Sequence, residues 1–168
     1  MTDPEDIIRR AEMAGLKIVT AESCTAGMVA DFLASVPGAS RTFWGGFVCY
    51  MPEAKTRMLG IEKALLENYG LVSRETALAM AAGALEHSGA DLAVAVTGLA
   101  GPDGDGSGLP IGTVWIGAAR RGGECKALAY RYAGSRQEVR AAAAREALEV
   151  LGQLLIQSSR TLCTFQAG

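Results

Sequence analysis

The chain has 168 residues, of which 49% are hydrophobic, and a formal net charge of −2. Its length suits one compact domain over residues 1–168 and is short for two. It lacks the Lys/Arg stripe of a nucleic-acid-binding protein, the basic start of a signal peptide and any apolar run of the about 18 residues that a membrane span requires. We therefore expect a cytoplasmic protein with neither nucleic-acid nor membrane partners.

The cysteine pattern predicts neither a disulfide framework nor a metal site. Cys24, Cys49, Cys125 and Cys163 show no C-x-x-C spacing, and their density is far below that of a disulfide scaffold. We expect a reducing compartment, no metal and no cofactor.

Hydrophobic periodicity alternates between helix and strand along the chain. Pro4 after a Thr2 or Asp3 cap, and Ser135 followed by Glu138, are typical of helix starts. In chain order the pattern predicts a helix over 4–14, a strand over 17–22, a helix over 27–36, a strand over 42–50, helices over 52–59, 62–68 and 73–88, a strand over 91–97, strands over 111–119 and 126–132, and a helix over 136–157.

This alternation predicts an α/β fold with a mostly parallel sheet and helices on both faces. The last two strands are joined by a hairpin turn at 120–123, so one strand should run opposite to the others. Ligands of such sheets bind at the carboxyl ends of the strands. The residues that follow three predicted strands, and so indicate a site, are Ser23, Tyr50 with Lys55, and Thr97 with Gly98.

Ser23 lies in a tight turn between the first strand and the next helix. Unpaired backbone N–H groups and the helix dipole favour an oxyanion there, so this turn can combine a hydroxyl nucleophile with an oxyanion site. Ser23 or Thr25 can instead serve only as a helix cap. Cys24 is a rival nucleophile, but a buried cysteine is usually inert, and we prefer the serine.

The chain has one histidine, His87, so a Ser-His-Asp triad would require that residue to reach the site. Lys55 is the better candidate base because it lies one turn into a helix, where the dipole disfavours its protonated form. An ordinary surface lysine is the alternative. Tyr50 can relay a proton or orient the amine, or simply contribute to packing.

Two features can bind an anion. The glycine-rich segment from Gly98 to Pro110 offers backbone N–H groups, although it lacks the nucleotide-binding motifs and can equally be a surface lid. Arg136 and Arg140 lie one helical turn apart and can clamp an anion, or can pair with Glu138 and neighbouring acids.

Taken together, these residues resemble the CinA C-terminal domain family. The segments that carry the resemblance are Ala21-Glu22-Ser23-Cys24-Thr25-Ala26-Gly27, Tyr50 with Lys55 and Leu59-Gly60, Val72-Ser73, Thr97-Gly98-Leu99-Ala100-Gly101-Pro102, Pro110-Ile111-Gly112-Thr113-Val114, and Gly134 with Arg136 and Arg140. The resemblance implies a three-layer α/β/α sandwich with a mixed five-stranded sheet.

Enzymatic members of this family are nicotinamide-nucleotide amidases of pyridine-nucleotide salvage. The resemblance therefore implies hydrolysis of nicotinamide mononucleotide to nicotinate mononucleotide and ammonia by a metal-free serine–lysine mechanism. Ser23 matches the nucleophile, Lys55 the base and Tyr50 the accompanying hydroxyl. The residues expected to contact substrate are Cys24, Thr25, Thr97, Gly98, Ala100, Gly101, Arg136 and Arg140.

The chain departs from the family pattern at two places. Ala26 stands where glycine is common, and Met51-Pro52 where Ser-Asn commonly follows the tyrosine. A domain that many relatives carry upstream is absent, so we expect a stand-alone version. A non-catalytic nucleotide-binding or interaction module of the same fold is the alternative function. The oligomeric state is left open between a monomer and a homo-oligomer.

Overall fold

The computed structural model describes residues 2–162, with side chains described as far as residue 156. Cys163, which entered the cysteine argument, lies outside the described residues. The elements are α1 (Pro4–Ala14), β1 (Ile18–Glu22), α2 (Met28–Ala34), β2 (Phe43–Val48), α3 (Pro52–Leu59), α4 (Lys63–Tyr69), α5 (Arg74–Ser88), β3 (Leu92–Gly98), β4 (Thr113–Arg120), β5 (Cys125–Arg131) and α6 (Arg136–Leu162).

The sheet has five strands in the order β2-β1-β3-β4-β5. β1 pairs in parallel with both β2 and β3, whereas β4 runs antiparallel to its neighbours β3 and β5. One strand therefore opposes the other four, as the hairpin turn predicted. The carboxyl ends of β1, β2, β3 and β5 consequently lie at one edge of the sheet.

Helices cover both faces of the sheet. On one face, α1, α2 and α6 bury a core that includes Ile7, Leu33 and Leu151 against alternate residues of β1, β3 and β4. On the other face, α3, α4 and α5 bury Leu59, Leu66 and Met80 against Val19 and Ala93. The predicted α/β class and three-layer arrangement are confirmed.

Local signals fix the helix starts near the predicted positions. Asp3 accepts a hydrogen bond from the Glu5 N–H, and Ser73 accepts one from the Thr76 N–H. At α6, the Ser135 N–H and hydroxyl donate to the Glu138 carboxylate, which is the predicted capping box. The hydrogen bonds from Ser135 lower the pKa of Glu138.

The element bounds differ from the predicted ones by a few residues. β2 is shorter than predicted and ends at Val48, which pairs with Glu22, the last residue of β1. A bulge near its start interrupts the register with β1, and Gly45 at φ +146° supplies the backbone conformation that the bulge requires. α6 continues to Leu162, beyond the predicted end at 157. Within residues 2–162, no helix combines the length and the apolar character that crossing a bilayer would need.

Candidate active site

Ser23 lies directly after β1, in a turn whose backbone is held from several sides. The Ser23 N–H donates to the Val96 carbonyl of β3 at 2.9 Å, which ties the turn to the centre of the sheet. Ala26 and Gly27 then adopt left-handed conformations with φ of 50° and 100°, and α2 begins at Met28. This double left-handed step turns the chain sharply between the strand and the helix, as the sequence predicted for this segment.

The buried carboxylate of Glu22 closes the start of α2. It accepts hydrogen bonds from the backbone N–H groups of Gly27 at 2.9 Å, Val29 at 3.1 Å and Ala30 at 2.8 Å. Only 1% of this residue is exposed. Because Glu22 occupies these helix-start donors, they are not the N–H groups that can bind an oxyanion.

Two other N–H groups of the turn remain available, those of Cys24 and Thr25. Among residues 2–162, no other residue offers either of them a hydrogen-bond acceptor. They immediately follow Ser23 in the chain. A pair of unpaired N–H groups beside a nucleophile is the arrangement that stabilises a tetrahedral oxyanion. These two candidate oxyanion donors lie before the helix start, earlier in the turn than the sequence argument assumed.

Lys55 points from α3 into the protein and meets Ser23. Its Nζ lies 3.0 Å from Ser23 Oγ, 2.9 Å from the Cys49 carbonyl oxygen and 3.1 Å from the Tyr50 carbonyl oxygen. Only 1% of Lys55 is exposed, and this burial lowers the pKa of its ammonium group. The alternative of an ordinary surface lysine is therefore wrong.

The three oxygens around the Lys55 nitrogen can accept from all three donors of an ammonium, and they also suit a neutral amine. A neutral amine has two N–H donors and one lone pair, and two carbonyl oxygens are present to accept from the donors. The third neighbour, Ser23 Oγ, carries a proton that the lone pair can accept. The arrangement is thus suited to deprotonating the serine.

Tyr50 is half-exposed, and its two polar groups have different partners. Its carbonyl accepts from Lys55, as above, whereas its hydroxyl accepts a hydrogen bond of 2.7 Å from Arg136 Nη2. The half-exposed side chain stands at the mouth of the site, with Arg136 as its hydrogen-bond partner. Its role as an accompanying hydroxyl stays a prediction.

The side chains of Cys24 and Thr25 are both buried. Cys24 belongs to the core beneath α2 and α6, where burial raises the pKa of its thiol to about 11. A thiol of that pKa is protonated near neutral pH, which argues against Cys24 as the nucleophile. Thr25 is fully buried, and its hydroxyl has no hydrogen-bond partner among the described residues.

Arg136 and Arg140 both reach the site from the first turns of α6, but they contact different parts of it. Arg136 Nη1 donates to the Gly101 carbonyl at 2.8 Å. Arg140 donates from Nε to the Cys24 carbonyl at 2.8 Å and from Nη2 to the Thr25 carbonyl at 3.2 Å. Within the described part of the chain neither arginine forms an ion pair, so pairing with Glu138 is excluded as their role.

The segment after β3 offers its backbone, rather than its side chains, to the site. The Thr97 hydroxyl donates to the Leu71 carbonyl at 2.7 Å, and Ala100 is buried in the core. A Cβ atom on Gly98 would lie 2.7 Å from Val114 Cγ2, so packing requires glycine there. The Gly101 carbonyl is already engaged by Arg136. Any contact of Thr97 or Ala100 with substrate would therefore have to come from their backbone atoms.

Other candidate features lie away from Ser23. His87 caps its own helix by contact of Nδ1 with the Gly83 carbonyl at 2.8 Å, so it does not form a triad. A cleft of about 480 Å³ between α3 and α4 is lined by residues such as Arg57 and Glu67 and by none of the three predicted catalytic residues. In the region the structure describes, no three His, Cys, Asp or Glu side chains are grouped to hold a metal ion.

Sequence reasoning identified Glu22 and Arg140 but missed what they contact. Glu22 was noted only as part of the motif, although a carboxylate at the end of a fully buried strand signals a partner with several N–H groups. Arg140 was assigned to an anion, and nothing in the linear sequence indicates that its guanidinium reaches the carbonyls of residues 24 and 25.

Comparison with known proteins places this site in a family context. The family model described as CinA C-terminal domain matches residues 2–155. A CinA-like protein of Geobacter sulfurreducens is 46% identical over 142 residues, and one of Akkermansia muciniphila is 49% identical over 133 residues. These alignments cover 84% and 79% of this chain but only 34% and 32% of the relatives, so the chain spans about a third of their length.

Solved structures match over almost their whole length. A competence-damaged protein (CinA) superfamily protein from Escherichia coli superposes with a TM-score of 0.86 at 35% identity, covering 92% of this chain and 93% of that one. The competence/damage inducible protein CihA from Agrobacterium tumefaciens gives a TM-score of 0.84 at 43% identity, covering 92% and 96%.

Proposed function

The chain belongs to the CinA C-terminal domain family, and on that premise we propose that it is an amidohydrolase. Its proposed substrate is nicotinamide mononucleotide, which it converts to nicotinate mononucleotide and ammonia through an acyl-enzyme on Ser23. The observation that carries this proposal is the 3.0 Å approach of a buried lysine nitrogen to the serine oxygen.

Acylation begins with proton transfer from Ser23 Oγ to the neutral Lys55 amine as Oγ bonds to the carboxamide carbon. The carbonyl oxygen becomes an oxyanion, for which the Cys24 and Thr25 N–H groups are suitable donors. The proton held by Lys55 then passes to the amide nitrogen, directly or through Tyr50, and the C–N bond breaks to release ammonia. Lys55 is neutral again at the end of this half-reaction.

Deacylation uses the same groups in reverse. Water takes the place of ammonia and gives a proton to Lys55 as its oxygen bonds to the ester carbon. The second oxyanion collapses, the bond to Oγ breaks, and Lys55 returns the proton to Ser23. Each half-reaction thus needs one base with one accessible lone pair, which the environment of Lys55 supplies.

The substrate suits the charges at the mouth of the site. The pyridinium ring withdraws electrons from the carboxamide and favours attack, while the phosphate requires cationic donors or N–H groups. Arg136 is exposed and has no carboxylate partner among the described residues, which supports it as a phosphate ligand. The backbone of residues 98–108 is the other candidate.

A direct assay tests this function. Purified protein incubated with nicotinamide mononucleotide should release ammonia and nicotinate mononucleotide in equal amounts, measured enzymatically and by chromatography. Acid quenching during turnover should trap the acyl group on the peptide that contains Ser23, detected by mass spectrometry. Binding of the nucleotide without release of ammonia would instead identify a nucleotide-binding module and refute the amidase proposal.

A further inference from the structure

We propose that Arg140 is a positioning residue that aims the Thr25 N–H at the oxyanion, and that the phosphate is left to Arg136. This inference separates two arginines that the sequence treats as one anion clamp, and it rests on the proposed amidase function.

Arg140 contacts carbonyl oxygens of the turn that contains Ser23. Its Nε and Nη2 donate to the carbonyl oxygens of Cys24 and Thr25, two consecutive peptide groups, at 2.8 and 3.2 Å. The side chain is half-buried. A rigid guanidinium with two donors in use fixes two oxygens at once, which a lysine ammonium does less well.

Because peptide groups are planar, these hydrogen bonds to carbonyl oxygens also orient the neighbouring N–H groups. In a planar trans peptide, the carbonyl of one residue and the N–H of the next point in opposite directions. Because Arg140 holds the Cys24 carbonyl toward α6, the Thr25 N–H points away from α6. That N–H is one of the two in the turn without an acceptor from another described residue.

The hydrogen bond from Arg140 to the Thr25 carbonyl bears on the next peptide in the same way. With the Thr25 carbonyl held by Arg140, the Ala26 N–H points back into the turn and donates to the Ser23 carbonyl at 3.1 Å. The Met28 N–H also donates to the Thr25 carbonyl at 3.2 Å, so the turn itself holds that peptide. Among the described residues, Arg140 is the one donor to the Cys24 carbonyl, so the outward-facing peptide is the one that depends on it. A cation on the Cys24 carbonyl also polarises that peptide and strengthens its N–H as a donor.

Arg136 has the contacts expected of a different role. It is exposed, and it bridges the Gly101 carbonyl and the Tyr50 hydroxyl at the mouth of the site. It contacts none of the peptide groups between Ser23 and Gly27. Arg136 is therefore the matched control for Arg140, from the same helix and of the same charge.

Steady-state kinetics with the nucleotide and with the riboside that lacks the phosphate separate the two roles. Arg140→Ala should lower kcat by about 10²-fold on both substrates with little change in KM, which is the scale for loss of one oxyanion donor. Arg140→Lys should recover only part of the rate, and added guanidinium ion should raise kcat of the alanine variant. Arg136→Ala should raise KM for the nucleotide alone and show no guanidinium rescue of kcat.

An increase in the nucleotide KM with unchanged kcat for Arg140→Ala would overturn the assignment, since that is the result of a phosphate ligand. Amide hydrogen exchange adds a readout that does not depend on turnover. The peptide covering residues 22–30 should exchange faster in Arg140→Ala and as in wild type in Arg136→Ala. If wild-type protein fails to hydrolyse the nucleotide, the proposed function fails, and with it the oxyanion role. Unchanged exchange in Arg140→Ala would then also show that Arg140 does not fix the turn.

Discussion

Ser23 and Cys24 are neighbours in the chain with opposite environments. The serine oxygen faces the lysine nitrogen, whereas burial raises the pKa of the cysteine thiol to about 11. We expect Ser23→Ala to abolish turnover while leaving nucleotide binding and thermal unfolding nearly unchanged. Cys24→Ala should retain catalysis, with a modest loss of stability from the small cavity it leaves. The reverse outcome in the ammonia assay would establish a thiol mechanism.

Lys55 should control the pH dependence of the rate. Burial lowers its pKa, and only the neutral amine can accept the serine proton, so kcat should rise with pH through that lowered pKa and then level off. Lys55→Arg keeps a positive charge that does not dissociate in this range, so it should reduce kcat by about 10²-fold or more at every pH. Arginine-substituted protein with near-normal turnover would show that the lysine acts only through its charge.

The site was predictable from sequence wherever a residue's position follows from its own element. Ser23 could be placed because it stands between a buried strand and a helix, and Lys55 because it lies one turn into a helix after the next strand. The contacts of Arg140 could not be placed, because they depend on how a segment far away in the chain folds back. Those of Glu22 are local, but they depend on the left-handed conformations of Ala26 and Gly27, which no periodicity encodes. No local periodicity encodes the 116-residue separation between Arg140 and its carbonyl partner Cys24.

The turn between β1 and α2 contains a strained residue. Ala26 adopts φ +50°, a conformation that is disfavoured for a residue with a Cβ atom but that glycine adopts without steric penalty. Ala26→Gly should therefore raise the free energy of unfolding by about 0.5–1 kcal/mol, measured by denaturant titration.

A matched substitution in a regular helix gives the control. Ala142→Gly in the interior of α6 should lower the free energy of unfolding by about 0.5–1 kcal/mol, because glycine there costs conformational entropy. Destabilisation by both glycines would mean that the left-handed conformation of Ala26 carries no strain.

At the level of elements, the sequence predicted nearly every helix and strand but not their ends. The apolar run of β3 and the capping residues Ser73 and Ser135 are strong local signals. β2 ends at Val48, which pairs with the last residue of β1, although its composition alone extended the strand to Tyr50. The bulge near its start was not predicted either. Bulges depend on pairing with a neighbouring strand, so they leave little trace in one sequence.

The packing of α3 on α5 determines how deeply Lys55 is buried. A Cβ atom on Gly83 of α5 would lie 2.2 Å from the Leu59 carbonyl oxygen, one helical turn after Lys55. Gly83→Ala should therefore push the two helices apart, lower the free energy of unfolding by about 1–3 kcal/mol, and reduce kcat by moving the amine from Ser23. Glu86→Ala, at an exposed position on the same helix, should change neither quantity by a comparable amount.

The layer architecture followed from the alternation of elements, and the antiparallel pairing of β4 with β5 from their hairpin turn. The close approach of α3 and α5 could not be predicted from the sequence. A glycine inside an alanine-rich helix can have no structural role, can kink the helix or can mark a close contact with another element. Only the contact with Leu59 shows which of these applies. The same is true of Gly117, whose added Cβ would lie 2.3 Å from the Ala77 carbonyl oxygen.

The buried, charge-poor surroundings of Lys55 bear on how the reaction ends. In the proposed reaction, the product differs from the substrate in carrying a carboxylate where the amide was, and it would leave beside this amine. A neutral amine offers the new anion no ion pair, so the product can depart; a protonated one would retain it. Inhibition by nicotinate mononucleotide should accordingly tighten as pH falls through the Lys55 pKa, measured as the inhibition constant across pH with nicotinamide mononucleotide as substrate. A pH-independent constant would mean that the carboxylate never meets this nitrogen on its way out.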